Sequence, residues 1–127
     1  MSGFRIEEYE MRCENLDVWK KSSRLSVEIY KYFRECKDYG FKDQITRSSL
    51  SIASNIAEGM EKNYPKEKNR FFEISKGSLA ELMTQIYIGI EIDYIDKQIG
   101  LEWIARLNEI SKMIVGLSKY HKNRNAS

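Results

Sequence analysis

Residues 51–59 read SIASNIAEG, a helical segment that closes on glycine. Ile52 and Ile56 are four residues apart and share one helical face, which predicts that this face is buried. Asn55 and Glu58 fall beside the isoleucines, where an amide or a carboxylate is costly unless it has a partner. The stretch therefore predicts a packed helix whose polar side chains pair with a neighbouring helix.

The helical pattern continues on both sides of this stretch. Apolar residues recur every three or four positions in four segments, which Gly, Pro and polar residues separate. We predict helices over about residues 17–38, 42–60, 65–95 and 101–120, between an N-terminal arm (1–14) and a frayed polar tail (121–127). Asp17 is the expected N-cap of the first helix and Gly40 its stop, and Pro65 fits the first turn of the third helix.

Four amphipathic helices with short connections predict an all-α protein, an antiparallel up-and-down four-helix bundle in a single domain of residues 1–127. With 127 residues and 42% hydrophobic content, the chain can bury one core without a metal or a disulfide. The third helix is expected to turn Phe71, Ile74, Leu79, Leu82 and Ile86 inward.

The sequence argues against secretion, membrane insertion and catalysis. The N-terminus lacks a basic start with an apolar run, and no apolar tract approaches the roughly 20 residues that span a bilayer. Cys13 and Cys36 have no C-x-x-C spacing, so we expect reduced thiols in a cytoplasmic protein. The one histidine, His121, lies in the predicted tail, without a Ser–His, Cys–His or Glu-x-x-His arrangement. We expect no catalytic residue, no cofactor and no metal; a carboxylate metal site is the disfavoured alternative.

Polar side chains form a second stripe on the second and third helices, because residues three or four apart share a face. They are Arg47, Ser51, Asn55 and Glu58 on the second helix and Ser78, Glu81 and Gln85 on the third. If these helices are antiparallel neighbours, the stripes can face each other, and we predict a structural polar network between them. The alternative is that several of these residues point to solvent at the margin of the apolar stripe.

Basic residues form three local groups, although the net charge is only +2. The groups are Lys20, Lys21 and Arg24; Lys62, Lys66, Lys68 and Arg70; and Lys119, Lys122 and Arg124. Each group alone is typical of a solvated helical surface. Repetition around an oligomer would turn them into a multivalent contact surface for nucleic-acid phosphates.

The aromatic content of 12% exceeds the need of one narrow core stripe. Tyr32 with Phe33, and Phe71 with Phe72, each cover a wide arc of helix surface. This predicts a second apolar surface, whose expected use is burial between subunits. Stacking of nucleic-acid bases on the rings is the alternative.

The chain contains LDVWKKSSRLSVEIYKYF (residues 16–33), QITRSSLSIASNIAEG (44–59) and FFEISKGSLAELMTQI (71–86) in this order. These segments resemble the 23S rRNA intervening-sequence proteins, also called the four-helix bundle protein family. This family is similar to the accessory variability determinant of diversity-generating retroelements. Ala53, where proline is common, and Thr46, where a second arginine is frequent, depart from the family pattern.

The resemblance implies bacterial four-helix bundles that assemble into a homo-oligomeric ring, a homopentamer, and whose biochemical role is not settled. It also implies a basic ring that binds nucleic acid and a partner enzyme. We therefore expect a non-enzymatic protein that associates with itself and binds structured RNA or DNA through basic surfaces. The alternative is a protein-interaction scaffold for a partner enzyme, without direct nucleic-acid binding.

Overall fold

The structure is a computed structural model that describes residues 11–125. The described part contains four helices and no strand: α1 (Asp17–Tyr32), α2 (Tyr39–Glu61), α3 (Pro65–Glu91) and α4 (Lys97–Asn125). Each helix packs against the preceding one, and α4 closes the bundle against α1. Because short connections join packed neighbours, the bundle is antiparallel and up-and-down, as the sequence predicts.

The core runs along the bundle axis, and most of the predicted stripe residues lie in it. Phe72, Leu82 and Ile86 of α3 are completely buried. The prediction for Ile74 is wrong, since this side chain is 42% exposed. The buried face of α3 starts at Phe72 rather than at Phe71, so Ile74, two residues further on, faces away from the core. The other helices bury Leu25, Ile29, Ile45, Ile52, Ile56, Leu107, Ile110 and Ile114.

The boundary between α1 and α2 differs from the prediction. α1 ends at Tyr32, and Gly40 lies in the first turn of α2 instead of stopping the helix before it. Asp38 Oδ1 accepts a hydrogen bond from the backbone N–H of Phe41 over 3.1 Å. An aspartate N-cap therefore sets this boundary, because it satisfies a backbone donor that the first turn leaves unpaired. At the other end of α1, Asp17 is the first helical residue, and Leu16 occupies the cap position.

α3 ends at Glu91, four residues before the predicted end. Asp93 has a φ of 63°, the left-handed conformation that reverses a chain after a helix. The N–H groups of Tyr94 and Ile95 both donate to the carbonyl of Gly89, over 2.9 and 3.0 Å. These bonds close the end of α3 and return Ile95 to the core.

α4 is longer at both ends than predicted. It begins at Lys97, where the Asp96 carboxylate accepts a hydrogen bond from the N–H of Ile99 over 3.1 Å. It continues through His121, which was expected in the frayed tail, to Asn125. The tail residues 126–127 and the arm residues 1–10 lie outside the described residues.

An ion pair that the sequence did not predict joins α4 to α1. The Arg106 guanidinium donates two hydrogen bonds to the Glu28 carboxylate, over 2.9 and 2.7 Å. These bonds lower the pKa of Glu28. Such a two-pronged contact fixes the relative orientation of the two helices.

Candidate nucleic-acid interface

The connection between α2 and α3 lies beside the last turns of α4. Ser118 Oγ donates a hydrogen bond to Asn69 Oδ1 over 2.6 Å, and the rings of Phe72 and His121 lie 6.0 Å apart. In an antiparallel bundle α2 and α4 both finish where α3 begins, so the second and third predicted basic groups share one end. We call this surface the basic end: Lys62, Lys66, Lys68, Arg70, Lys119, Lys122 and Arg124.

Charge is distributed unequally between the two ends of the bundle. Residues 62–70 and 119–124 contain seven basic side chains and one acidic side chain. The connections at the opposite end, residues 33–38 and 92–96, contain two basic and four acidic side chains. The small net charge therefore conceals a positive end, whose field attracts a polyanion such as nucleic acid.

Aromatic rings are interleaved with the cations of the basic end. The Lys62 ammonium and the Arg70 guanidinium lie over the Phe71 ring, 5.1 and 5.7 Å from its centroid. The Arg124 guanidinium lies 5.4 Å from the centroid of the Tyr120 ring, which is itself exposed. Cations beside a half-buried ring (Phe71) and an exposed ring (Tyr120) suit a ligand that combines phosphates with flat bases.

Lys68 has a structural role at this end. Its ammonium donates to the Met60 carbonyl over 3.0 Å, and the Arg12 guanidinium lies 3.4 and 3.3 Å from the carbonyls of Met60 and Glu61. The two cations thus satisfy carbonyls in the last turn of α2. Burial, and then the charge of Arg12, lowers the pKa of Lys68. Arg12 was not among the predicted site residues.

His121 contributes packing to the basic end. Burial, followed by the charges of Lys68 and Arg124, lowers the pKa of His121 from its ordinary value of 6.5. Its Nε2 is buried and has no hydrogen-bond partner within residues 11–125. The imidazole is therefore neutral at pH 7 and adds no charge to this surface.

The first predicted basic group does not join the basic end. Lys20, Lys21 and Arg24 line the cleft between α1 and α4. There the Lys21 ammonium pairs with the Glu109 carboxylate over 3.0 Å. Glu109 precedes Lys119 by about 15 Å along α4. This group is thus a separate surface on the side of the bundle.

The structure brings together three of the seven residues of the predicted polar network. The hydroxyls of Ser51 and Ser78 share a hydrogen bond, with 2.7 Å between the oxygens. Asn55 Nδ2 donates to the carbonyl and to the hydroxyl of Ser51, over 2.8 and 2.9 Å. Ser75 adds a buried hydrogen bond from its Oγ to the Ile52 carbonyl over 2.8 Å. Small hydroxyls therefore make the polar contacts between α2 and α3.

The four other predicted members do not join this contact. Arg47 is exposed and pairs with Asp43 on its own helix over 3.0 Å. Glu58 and Glu81 are also exposed, which spares their carboxylates the cost of desolvation. Gln85 is half-buried, and its Oε1 has no hydrogen-bond partner among the residues that the structure describes. Arg47, Glu58 and Glu81 therefore follow the alternative prediction, in which they point to solvent at the margin of the apolar stripe.

Two comparisons with known proteins agree with this fold. The family model of the 23S rRNA-intervening sequence protein matches residues 14–116. The chain belongs to this family. A crystal structure from Bacteroides thetaiotaomicron VPI-5482, a protein with unknown function from the S23 ribosomal protein family, is similar with a TM-score of 0.75 and 25% identity. The match covers 80% of this chain and 98% of that chain. No curated protein matches.

The bundle also carries an apolar groove between α1 and α2, which we call the α1–α2 groove. It has a volume of about 550 Å³, within the range of small-molecule and peptide sites. Its buried lining combines the large Trp19 with the small Ser23, Ser26 and Ala53, and the side chains of Tyr30 and Leu50 are exposed. The residues that line it are Trp19, Ser23, Ser26, Val27, Tyr30, Lys31, Leu50, Ala53, Ser54 and Ala57.

Between residues 11 and 125, no three His, Cys, Asp or Glu side chains are grouped so that they could hold a metal ion. No helix in the same range has the length and apolar character needed to cross a membrane. Both cysteines are free thiols, and burial raises the pKa of Cys13 to about 11, which makes its thiol a poor nucleophile.

Proposed function

We propose that this protein is a non-enzymatic homo-oligomer, a pentamer, that binds structured RNA or DNA through its basic end. The convergence of two basic groups at one end of the bundle supports this proposal most strongly. Lys and Arg contacts to phosphates supply most of the affinity of such binding, independently of sequence. The interleaved rings at Phe71 and Tyr120 favour ligands with unpaired bases, such as RNA loops.

Self-association multiplies this surface. One basic end offers few phosphate contacts, whereas several basic ends held on one ring engage one nucleic acid at the same time. The exposed apolar side chains of α1, α2 and α3 support self-association. The number of five subunits rests on the resemblance to the family. The free thiols of Cys13 and Cys36 support a cytoplasmic location.

A salt titration tests this proposal. Fluorescence anisotropy with labelled 23S rRNA fragments and with a DNA duplex of equal length should show binding at low ionic strength. The logarithm of the affinity should fall linearly with the logarithm of the salt concentration. No binding to either probe at low ionic strength would refute nucleic-acid binding.

The second candidate function is a protein-interaction scaffold that positions a partner enzyme. The α1–α2 groove favours it, since an apolar groove with small floor residues accepts a helix from another protein. A pull-down from the native host, with and without nuclease, separates the two candidates. Partners that survive nuclease treatment support the scaffold, and partners that disappear support nucleic-acid binding.

A further inference from the structure

The α1–α2 groove has the shape of a helix-binding site. Ser23, Ser26 and Ala53 in its floor are small and buried, so a helix can approach the bundle closely there. The lining residues of α1 run from Trp19 to Lys31, which is about 18 Å of helix length. A docked helix therefore contacts the groove over about three turns.

α3 presents a stripe of matching length on the outside of the bundle. Ile74, Gly77, Glu81, Thr84 and Ile88 follow one another at steps of three and four residues and are all exposed. They share one face, which we call the α3 outer face. Its two isoleucines are separated by about 21 Å along the helix. A Cβ at Gly77 would meet nothing within 4 Å, so the middle of this face is flat and accessible to another helix.

The charges of the two surfaces are complementary. Lys31 is the one charged residue that lines the α1–α2 groove. The α3 outer face likewise holds one charged residue, the exposed Glu81. Lys76, which lies outside this face, is half-buried and pairs with Glu73 over 3.6 Å. The one carboxylate of the α3 outer face thus meets a groove whose one charge is positive.

We propose that the α3 outer face of one copy docks into the α1–α2 groove of a second copy; this joint rests on the homo-oligomeric part of the proposed function. α3 packs against α2 and α4 and not against α1, so groove and face lie on different sides of one bundle. Each copy therefore uses both surfaces in a head-to-tail contact. Such contacts build a ring when the rotation between copies closes.

Leu50→Lys in the groove and Ile88→Lys on the α3 outer face test the joint. Both side chains are exposed, 49% and 50%, so a lysine at either position leaves the folded monomer intact. Leu101→Lys, on α4 and 45% exposed, is the matched control. Light scattering and native mass spectrometry should show an oligomer for wild type and for Leu101→Lys. Leu50→Lys and Ile88→Lys should be monomers with unchanged circular dichroism.

A mixture of the two monomeric variants gives the sharper result. Ile88→Lys keeps an intact groove and Leu50→Lys keeps an intact outer face, so one joint can form between them. The mixture should therefore contain a one-to-one heterodimer and nothing larger. A groove-to-groove dimer is indicated instead if Ile88→Lys assembles like wild type. The proposed joint is wrong if Ile88→Lys assembles like wild type. It is also wrong if the mixture contains no heterodimer, or if the wild-type protein is a monomer.

The joint and the proposed function can fail separately. If Ile88→Lys assembles and binds rRNA fragments like wild type, the joint is wrong and the proposed function stands. If both variants are monomeric, the mixture forms the heterodimer, and wild type does not bind RNA or DNA at low salt, the joint stands and nucleic-acid binding is wrong.

Discussion

The side-chain oxygens of Ser51 and Ser78 lie 2.7 Å apart and join α2 to α3. Asn55 supports the contact from its own helix by donating to Ser51 Oγ over 2.9 Å. The hydroxyl pair is partly buried, so each partner would lose a hydrogen bond on truncation of the other. Ser51 and Asn55 both belong to the stretch SIASNIAEG (residues 51–59). The Ser51–Ser78 hydrogen bond holds α2 and α3 against each other.

A double-mutant cycle of Ser51→Ala and Ser78→Ala measures this contact. The coupling energy from urea unfolding should be about 0.5–1.5 kcal/mol, because each single change already removes the shared hydrogen bond. The matched control pairs Ser51→Ala with Ser75→Ala, since Ser75 donates to the Ile52 carbonyl instead. The control cycle should be additive within about 0.5 kcal/mol. Additivity in both cycles would contradict the Ser51–Ser78 bond.

Helical periodicity predicts the four-helix architecture, because stripe residues such as Ile52 and Ile56 repeat at helical spacing and have no competing interpretation. Helix ends are harder to predict. Gly40 resembles a stop signal in the sequence. However, the Phe41 N–H donates a hydrogen bond to the Asp38 carboxylate, and this N-cap starts α2 before Gly40. Asp93 adopts the left-handed conformation that glycine usually supplies. Which residue starts or ends a helix thus depends on three-dimensional packing, which the local sequence does not show.

The candidate interface was predicted in part. The basic groups at residues 62–70 and 119–124 are visible as local clusters, and their convergence follows once the bundle is antiparallel. Where α4 continues through His121, the imidazole ring lies 6.0 Å from the ring of Phe72, which is 49 residues away in sequence. Arg12 is equally distant from the α2 carbonyls that it contacts. Single contacts between distant residues leave no periodic signal in the sequence.

Gly59→Ala should destabilise the protein by about 1–3 kcal/mol through overpacking. A Cβ at Gly59 would lie 2.7 Å from Phe72 Cε1 and 3.0 Å from the backbone carbonyl oxygen of Lys68. Gly116→Ala is the control, since a Cβ there would meet nothing within 4 Å and should stabilise α4 by about 0.5–1 kcal/mol. Urea unfolding compares the two variants. Equal effects would show that α2 and α3 do not pack closely at Gly59.

His121 should make the protein less stable as the pH falls. Its folded-state pKa lies below the ordinary value of 6.5, so the unfolded chain takes up the proton first. The unfolding free energy should therefore decrease as the pH drops from 6.5 through the folded-state pKa. Proton NMR of the one histidine gives the midpoint directly, and His121→Leu should flatten this part of the stability curve. A midpoint at or above 6.5 would contradict burial of the ring.

The two thiols should react at very different rates in the native protein. Cys13 is buried and burial raises its pKa to about 11, so few thiolates exist at pH 8. Cys36 is only half-buried. Dithionitrobenzoate should therefore modify Cys36 first and Cys13 only after local opening or unfolding. The single-thiol variants Cys13→Ser and Cys36→Ser assign the two phases, and similar rates for both would contradict the packing of residues 11–16.

Nucleic acid should bind at the basic end, and two triple charge reversals test this most directly. Lys66→Glu/Lys119→Glu/Lys122→Glu alters the basic end. Arg34→Glu/Lys37→Glu/Lys97→Glu makes the same change in net charge at the opposite end, and all six side chains are exposed.

The measurement is the affinity for rRNA fragments as a function of salt. The first variant should lose binding, and the slope of log affinity against log salt should fall by about one for each lysine that contacts a phosphate. The second variant should lose much less affinity, since its three substitutions remove no phosphate contact at the basic end. Equal losses of affinity for the two variants, or full affinity of the first variant, would contradict nucleic-acid binding at the basic end.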